Sequence, residues 1–205
     1  MSARRGRLIA LEGGEASGKS TQAKALATSL GALLTREPGG TDIGRRIRAI
    51  VLAPDLDELD ARAEALLMAA DRAQHVAEVI EPALAGGTDV VTDRYAGSSL
   101  AYQGFGRGLD VDEVRTLSTW AARGLEPDLI VLLDVPTDVA AHRRTSVDDR
   151  MEAESPAFHA RVADGYRALA AAEPDRWVVV DGTGPPGDVA ERVSAAVAEH
   201  LESRA

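Results

Sequence analysis

A glycine-rich segment near the start of the chain has the spacing of a phosphate-binding loop. Residues 13–20 read GGEASGKS and fit the pattern G-x-x-x-x-G-K-[ST]. In such a loop the backbone N–H groups surround phosphate oxygens, Lys19 reaches the β- and γ-phosphates, and the Ser20 hydroxyl helps to hold Mg²⁺. The alternative is an ordinary glycine-rich turn. Because an apolar strand precedes the segment and an amphipathic helix follows it, we favour binding of a nucleoside triphosphate by the loop residues Gly13, Gly14, Glu15, Ala16, Ser17, Gly18, Lys19, Ser20 and Thr21.

The remaining sequence narrows the class of phosphate-binding protein. It contains no asparagine, which excludes the GTP-specific switch proteins that recognise guanine through an N-K-x-D loop. Its 205 residues are also too few for most motor or transporter ATPases. A compact chain of this kind is more often a small-molecule kinase, so the sequence should also contain a site for the phosphate acceptor.

A second polar cluster, Asp93-Arg94-Tyr95, follows the apolar run 90–92. An acidic residue at the carboxyl end of a central strand can serve a metal ion, and the next arginine can hold a second phosphate with two hydrogen bonds. The alternative is an ion pair at a helix start, covered by tyrosines. Aromatic side chains are 3% of the sequence, yet three of them fall together at Tyr95, Tyr102 and Phe105, which indicates a binding pocket.

A third group lies on the longest predicted helix. Met68, Arg72 and His75 share one face, where the arginine can bind a base carbonyl and Met68 can cover the base. The alternative is a solvated face on which Asp71 and Arg72 are paired. His75 is given no role.

Two further segments have the composition of functional loops. Residues 35–41, TREPGGT, leave the second strand, and Thr41 is placed to cap the next helix; a plain connecting loop is the alternative. Arg143, Arg144 and Arg150 lie in a polar stretch that predicts a lid over residues 141–153, closing on phosphates. A surface loop paired with Asp148, Asp149 and Glu152 is the other interpretation.

These loops must be positioned by a regular scaffold. Short apolar runs predict strands at 8–11, 32–35, 90–92, 129–135 and 177–180, and their lack of alternation predicts a parallel sheet buried on both faces. Ala23, Leu26, Ala27 and Leu30 predict a helix stopped by Gly31. A longer helix, ending at Gly86-Gly87, should bury one stripe formed by Leu59, Leu66, Ala70, Ala73, Ala77, Ile80 and Leu84. The fold class is therefore α/β, a three-layer P-loop kinase fold with a five-stranded parallel sheet flanked by helices.

Composition sets the outer limits. We expect residues 1–205 to form a single domain, with 45% hydrophobic and 27% charged residues as in soluble proteins. The net charge of −10 argues against nucleic-acid binding, and no cysteine is present for disulfides or metal ligation. With no signal peptide or membrane span recognisable, a cytoplasmic location is expected.

Five motifs, in this order, resemble those of the bacterial thymidylate kinases. They are Glu12-Gly13 with the P-loop, TREPGGT at 35–41, Asp71-Arg72-Ala73, D-R-Y-x-x-S-x-x-A-Y-Q-G at 93–104, and D-R-M-E at 149–152. The resemblance implies phosphorylation of dTMP to dTDP with ATP and Mg²⁺. It also suggests a homodimer formed through helices, for which the alanine-rich face within 61–84 is a candidate.

The resemblance also implies roles for individual residues. Arg94 would hold the acceptor phosphate and Arg72 the thymine carbonyl. Ser20 and Asp93 would serve the metal, and Lys19, Arg94, Arg143 and Arg150 would be catalytic. Glu15 and Glu37 would serve the sugar and the metal-bound water, and Tyr102 would lie beside C2′. The remaining substrate contacts would come from Ser98, Ser99 and Gln103 at the base edge and from Pro38.

Two positions refine this comparison. Ala16 and Ser17 leave the P-loop without a basic side chain, as in the members that supply an arginine from the lid. Met68 stands where relatives usually carry Phe or Tyr, and its thioether can still cover an aromatic face. Alternative functions are kinase activity on another nucleoside monophosphate or deoxynucleoside, and a non-catalytic nucleotide-binding subunit.

Overall fold

A central five-stranded sheet organises the chain in a computed structural model that describes residues 4–56, 59–143 and 149–202. All neighbouring strands are parallel, in the order β2-β3-β1-β4-β5. The strands are β1 Leu8–Glu12, β2 Leu33–Arg36, β3 Val90–Asp93, β4 Leu129–Asp134 and β5 Trp177–Asp181. The predicted fold class is confirmed, and each predicted strand is present.

Helices cover both faces of the sheet. Two stretches, Val76–Ile80 and Leu100–Gly106, are π-helical and continue the helices that precede them. The α-helices are α1 Lys19–Leu30, α2 Asp42–Val51, α3 Ala61–His75, α4 Glu81–Ala85, α5 Ala96–Ser99, α6 Val111–Ala121, α7 Thr137–Arg143, α8 Pro156–Ala172 and α9 Pro186–Glu202.

Successive residues of the central strand enter two separate cores. Ile9 and Leu11 pack with α1 and α9 on one face, whereas Leu8 and Ala10 pack on the other face with the π-helical segments and α8. Successive side chains of a strand point to opposite faces of the sheet. Because helices cover both faces of this sheet, the strand carries apolar residues at every position instead of alternating with polar ones. The result is the three-layer arrangement.

Two predicted burial patterns are wrong in part. Strand β2 is an edge strand, with Leu33 37% and Leu34 44% exposed, so it is not buried on both faces. Of the stripe predicted for the longer helix, Leu66 and Ala70 are exposed, Leu66 at 57%, whereas Ile80 and Leu84 are buried as predicted. The buried face of α3 instead carries polar and charged residues whose hydrogen-bond partners lie on other elements, namely Glu64, Asp71, Arg72 and His75.

The helix boundaries follow from local chemistry. Gly31 ends α1 in the left-handed conformation, as expected, and the Thr41 side chain accepts a hydrogen bond from the Gly44 N–H at the start of α2. The helix that contains α3 and α4 ends at Gly86, also as expected. Among the described residues, every helix is too short or too polar to span a bilayer.

The carboxyl ends of the strands bring the sequence motifs to one edge. In the sheet register, Asp93 lies beside both Leu11 and Arg36. The loops after β1, β2 and β3 are the P-loop, the TREPGGT loop and the Asp93-Arg94-Tyr95 turn, so all three meet there. Parallel α/β sheets bind ligands at this edge.

Helix α8 and the second π-helical segment interlock through two glycine–phenylalanine contacts. A Cβ at Gly165 would lie 2.6 Å from the Phe105 ring, and one at Gly106 would lie 2.7 Å from the Phe158 ring. Each glycine therefore makes room for an aromatic ring from the opposite element.

We expect Gly165→Ala to lower the free energy of unfolding by about 1–3 kcal/mol, because the added methyl overpacks this contact. Urea denaturation followed by circular dichroism measures the change. Gly187→Ala in α9 is the matched control, since among the described residues no atom would lie within 4 Å of its Cβ. Equal destabilisation by the two variants would contradict the packing explanation.

Candidate active site

The P-loop begins directly after β1 and closes against the neighbouring strand. Gly13 has φ 145°, and a Cβ there would lie 2.7 Å from the Leu133 carbonyl oxygen, so only glycine fits. Gly18, at φ 91°, precedes the first residue of α1. The buried Lys19 Nζ donates to the Gly14 carbonyl, at 2.5 Å, and to Ser17 Oγ, at 3.2 Å. The loop thus places one ammonium group and a helix N-terminus together, which favours binding of phosphate.

Two oxygen-bearing side chains beside the P-loop suit Mg²⁺. Ser20 Oγ donates to Asp93 Oδ2, while Asp93 Oδ1 is buried without a hydrogen-bond partner in the described part of the chain. A hydroxyl and a carboxylate are ligands that Mg²⁺ prefers. Because no cluster of three or more potential metal-ligating side chains occurs among the described residues, a metal here would also need oxygens from phosphate and water.

Arg94 is the most highly connected side chain at this edge of the sheet. Its guanidinium donates to the Gly13 carbonyl, Glu15 Oε1, Ser98 Oγ, Tyr102 OH and Tyr166 OH. The residue adopts a left-handed backbone with φ 73°, an uncommon conformation for a non-glycine residue. A strained backbone and buried charge at one position are typical of functional sites.

Glu15 is the anionic partner of Arg94. Its carboxylate lies 2.5 Å from the Arg94 Nη2 and accepts a 2.6 Å hydrogen bond from Tyr102 OH. Burial opposes ionisation, but the positive charges of Arg94 and Lys19 outweigh it and lower the pKa of Glu15 to about 2. Glu15 is therefore ionised at neutral pH, and it fixes the orientation of both partners.

A second carboxylate, that of Glu12, holds the residues that follow Arg94. Glu12, fully buried at the end of β1, accepts hydrogen bonds from the backbone N–H groups of Tyr95 and Ser98 and from the hydroxyls of Ser98 and Tyr166. Burial raises its pKa. Ser98 Oγ is thus engaged by protein groups rather than held free for a ligand.

The side chains of Glu37, Arg72 and His75 form a buried network. Glu37 Oε2 accepts from Arg72 Nε at 2.9 Å, and Glu37 Oε1 lies 3.0 Å from His75 Nδ1. Arg72 also donates to Ser99 Oγ and Ser118 Oγ, and it is fully buried. The interpretation of Arg72 as part of a solvated face is wrong, because its partner is Glu37 and not Asp71.

Asp71 belongs to the same buried region. Its Oδ1 accepts a hydrogen bond from the Gly39 N–H, and its Oδ2 has no partner among the described residues. Burial and the negative charge of Glu37 raise its pKa to about 6. Neither His75 nor Asp71 is assigned a role from the sequence; for His75 the available signal was its place on the face of Arg72, three residues on, and for Asp71 it was the motif Asp71-Arg72-Ala73.

Two cavities meet beside Arg94. The acceptor cavity, as we name the first, is lined by predicted substrate residues: Glu15, Pro38, Met68, Arg94, Ser98, Tyr102 and Gln103. The P-loop cavity is lined by Lys19, Ser20, Thr21, Glu37, Asp93 and Arg94, among others. Ser99 and Arg72 line neither cavity and lie deeper, hydrogen-bonded to each other.

Arg48 is a site residue that the sequence analysis missed. It lines both cavities, as do Glu15, Arg94 and Asp149, and it donates to the Pro38 carbonyl. Burial and the nearby charge of Arg36 lower its pKa, which is the electrostatic signature of a site that attracts an anion. Its position on α2 after the capping Thr41 gave no specific signal, since many helices carry exposed arginines.

The arginines of the predicted lid have different positions. Arg143, at the end of α7, donates to the Gly182 carbonyl after β5, and Arg144 lies outside the described residues, as does most of the lid centre. Arg150 is buried, donating to the Val51 carbonyl and to Glu64. Arg150 is therefore held by the fully buried Glu64 carboxylate and lines neither cavity here, and its role in a lid that closes on phosphates stays a prediction.

The raised pKa of Asp71 predicts a pH-dependent effect on stability. Above pH 6, the ionised Asp71 lowers the free energy of unfolding. This destabilisation disappears as the pH falls toward 3.8, the usual pKa of an aspartate. Asp71→Asn should therefore stabilise the protein at pH 8 by about 2 kcal/mol and change little at pH 4.

Urea denaturation across pH 4–8 measures this difference. Asp164→Asn, at an exposed position of α8, is the matched control and should show no such trend. If Asp71→Asn destabilised the protein equally at both ends of the range, the charge of Asp71 would not be the cause.

Comparisons with known proteins agree with this geometry. A family model described as "Thymidylate kinase" matches residues 11–193. Proteins named "Thymidylate kinase" include those of Leifsonia xyli subsp. xyli, 53% identical over 93% of each chain, and Desulfovibrio desulfuricans, 46% identical over 96% of this chain and 97% of its relative. Another, from Solidesulfovibrio magneticus, is 49% identical over 94% of this chain and 99% of the relative. The chain belongs to the thymidylate kinase family.

Proposed function

We propose that this enzyme transfers the γ-phosphoryl group of ATP to dTMP, giving dTDP and ADP. The observation that carries the proposal is the meeting of the acceptor cavity and the P-loop cavity at Arg94 and Glu15. A phosphate bound in each cavity would lie on either side of this pair. Phosphoryl transfer depends mainly on such positioning and on stabilisation of charge.

On the donor side, the P-loop N–H groups and Lys19 bind the β- and γ-phosphates. Ser20 and Asp93 would hold Mg²⁺ and its waters, and Asp93 Oδ1, which has no partner among the described residues, would accept hydrogen bonds from those waters. When bound, Mg²⁺ neutralises charge on the β- and γ-phosphate oxygens. Arg36, Arg48 and the lid residue Arg143 are further cations on this side.

On the acceptor side, Arg94 and Arg48 hold the phosphate of dTMP, and the base enters between Met68, Pro38 and Gln103. Met68 is 7% exposed and covers the base through its polarisable thioether. Tyr102, fixed by Glu15 and Arg94, closes the space beside C2′ and disfavours a ribose hydroxyl.

In the transfer step an oxygen of the dTMP phosphate attacks the γ-phosphorus. The bond between that phosphorus and the β,γ-bridging oxygen breaks, and its electrons remain on ADP. Lys19 and Arg94 stabilise the transferred group as it moves from one cavity to the other. Arg72, held by Glu37 and Ser99, lies deeper than the lining of the acceptor cavity, so it would contact the thymine carbonyl only after leaving one of these partners.

We propose that two copies of the chain form a homodimer. The outward face of α3 carries Leu66, and α6 carries Trp120, which is 79% exposed; both are suited to contact a second copy. A cytoplasmic location suits an enzyme that uses ATP and a nucleotide.

The acceptor is identified by a coupled assay of ADP release with Mg²⁺. We expect dTMP to give the highest kcat/KM and dUMP a lower value. UMP, CMP and thymidine should give values at least about tenfold lower, because UMP and CMP add a ribose hydroxyl beside Tyr102 and thymidine lacks the phosphate. ATP binding without turnover on any acceptor would instead favour a non-catalytic subunit, and a higher kcat/KM with another nucleotide would replace dTMP as the substrate.

Arg94→Lys tests the acceptor phosphate site. Lysine keeps the charge but loses the forked geometry, so we expect the KM for dTMP to rise by about 10- to 100-fold while the KM for ATP changes little. Arg115→Ala, which removes a partly exposed ion pair with Glu173, is the control. Equal rises in both KM values would argue that Arg94 does not distinguish the two phosphates.

A further inference from the structure

The side-chain amide of Gln103 has only one of its two ends satisfied by protein. Its Nε2 donates to Glu64 Oε1 at 2.8 Å. Its Oε1 is buried and has no hydrogen-bond partner among the residues that the structure describes. Because Gln103 lines the acceptor cavity, this oxygen is an acceptor held ready for a donor within that cavity.

Glu64 determines which end of the amide faces the cavity. It is fully buried on α3, and its two oxygens also accept from Arg107 Nε, from Arg107 Nη2 and from Arg150 Nη2. Despite burial, these donors, with Arg107 the strongest, lower its pKa and keep it ionised. A carboxylate can only accept hydrogen bonds, so the amide nitrogen must point toward it.

We propose that Glu64 is a positioning residue for base recognition, which fixes the Gln103 amide so that its oxygen accepts the N3–H of the pyrimidine. This rests on the proposed function, since it places the base of the acceptor in the cavity. Thymine and uracil carry a hydrogen at N3, whereas cytosine has a lone pair there. Glu64 therefore selects thymine over cytosine without touching the base.

The alternative amide orientation explains why the charge of Glu64 matters. A reversed Gln103 would place its oxygen against the carboxylate and its NH₂ against the base. Two acceptors would meet at Glu64, and two donors would meet at N3 of thymine. Each unsatisfied buried group costs enough to change selectivity by about tenfold or more.

Glu64→Gln should reverse the preferred orientation. A glutamine at position 64 keeps two of the three arginine hydrogen bonds if its oxygen faces Arg150 Nη2 and Arg107 Nη2, and it loses only the one from Arg107 Nε. The NH₂ of this new glutamine then stands where Glu64 Oε1 was. It can donate to Gln103 only if the Gln103 amide turns over and presents its oxygen. The turned amide presents NH₂ to the base, which matches N3 of cytosine.

The experiment measures kcat/KM of wild type and Glu64→Gln with dTMP, dUMP and dCMP. We expect the dTMP/dCMP ratio to fall by at least about tenfold, and the dTMP/dUMP ratio to stay within about twofold, because both of those bases carry N3–H. A ratio is independent of the amount of folded enzyme. Loss of stability in the variant therefore leaves it unchanged.

Glu154→Gln is the matched control. Glu154 pairs with the other nitrogen, Nη1, of the same Arg107 but has no hydrogen bond with Gln103, so the dTMP/dCMP ratio should remain that of wild type. Thermal denaturation compares the stability of the variants.

Calorimetric binding of the same three nucleotides tests the inference without turnover. An unchanged dTMP/dCMP ratio in Glu64→Gln, by kinetics and by binding, overturns it while leaving the proposed function intact. If wild type turns over another acceptor instead of dTMP, the proposed function fails. The binding ratios then decide the inference separately, and wild type binding dCMP as tightly as dTMP overturns it too.

Discussion

The ion pair between Arg94 and Glu15 is the interaction on which the architecture of the site depends. Arg94 follows β3 and Glu15 lies in the loop after β1, so the pair connects the loops of adjacent strands. Through the same guanidinium, α5, the second π-helical segment and α8 are joined to the P-loop, at Ser98, Tyr102 and Tyr166. The pair also sets the local field. Burial, followed by the charge of Arg94, lowers the pKa of Lys19 to about 8, an energetic cost that a phosphate anion between them would relieve.

Much of the scaffold is readable from local sequence because its signals are short-range. The P-loop requires glycine at Gly13 and Gly18 for backbone reasons, and Thr41 caps its own helix. Strand existence follows from apolar runs. Burial is a different property: Leu33 and Leu66 are as apolar as core residues, but β2 has a neighbour on one side only, and α3 turns its charged face inward. Those outcomes depend on tertiary partners that are remote in the chain.

The same limit applies to the site. The spacing of Arg94 and Lys19 within motifs indicates their chemistry, and the structure places both at one edge. The positions of Glu64 and Arg150 depend on partners 39 to 99 positions away in the chain, such as Val51 for Arg150, that no local pattern contains. An isolated Glu on a helix resembles a solvated surface residue. Only the convergence of Arg107, Arg150 and Gln103 on Glu64 distinguishes it.

In the π-helical segment Leu100–Gly106, the number of residues matters for recognition as well as their types. Ser98 and Gln103 both line the acceptor cavity, although residues five apart in an α-helix point about 140° away from each other. A π-helical turn brings positions i and i+5 onto one side, at the cost of one extra residue in the helix. Deleting a single residue here would restore regular helix and rotate Gln103 away from Ser98 while leaving every other side chain in the sequence intact. An insertion or deletion in this segment would therefore change the acceptor cavity even if all of its lining residues were kept.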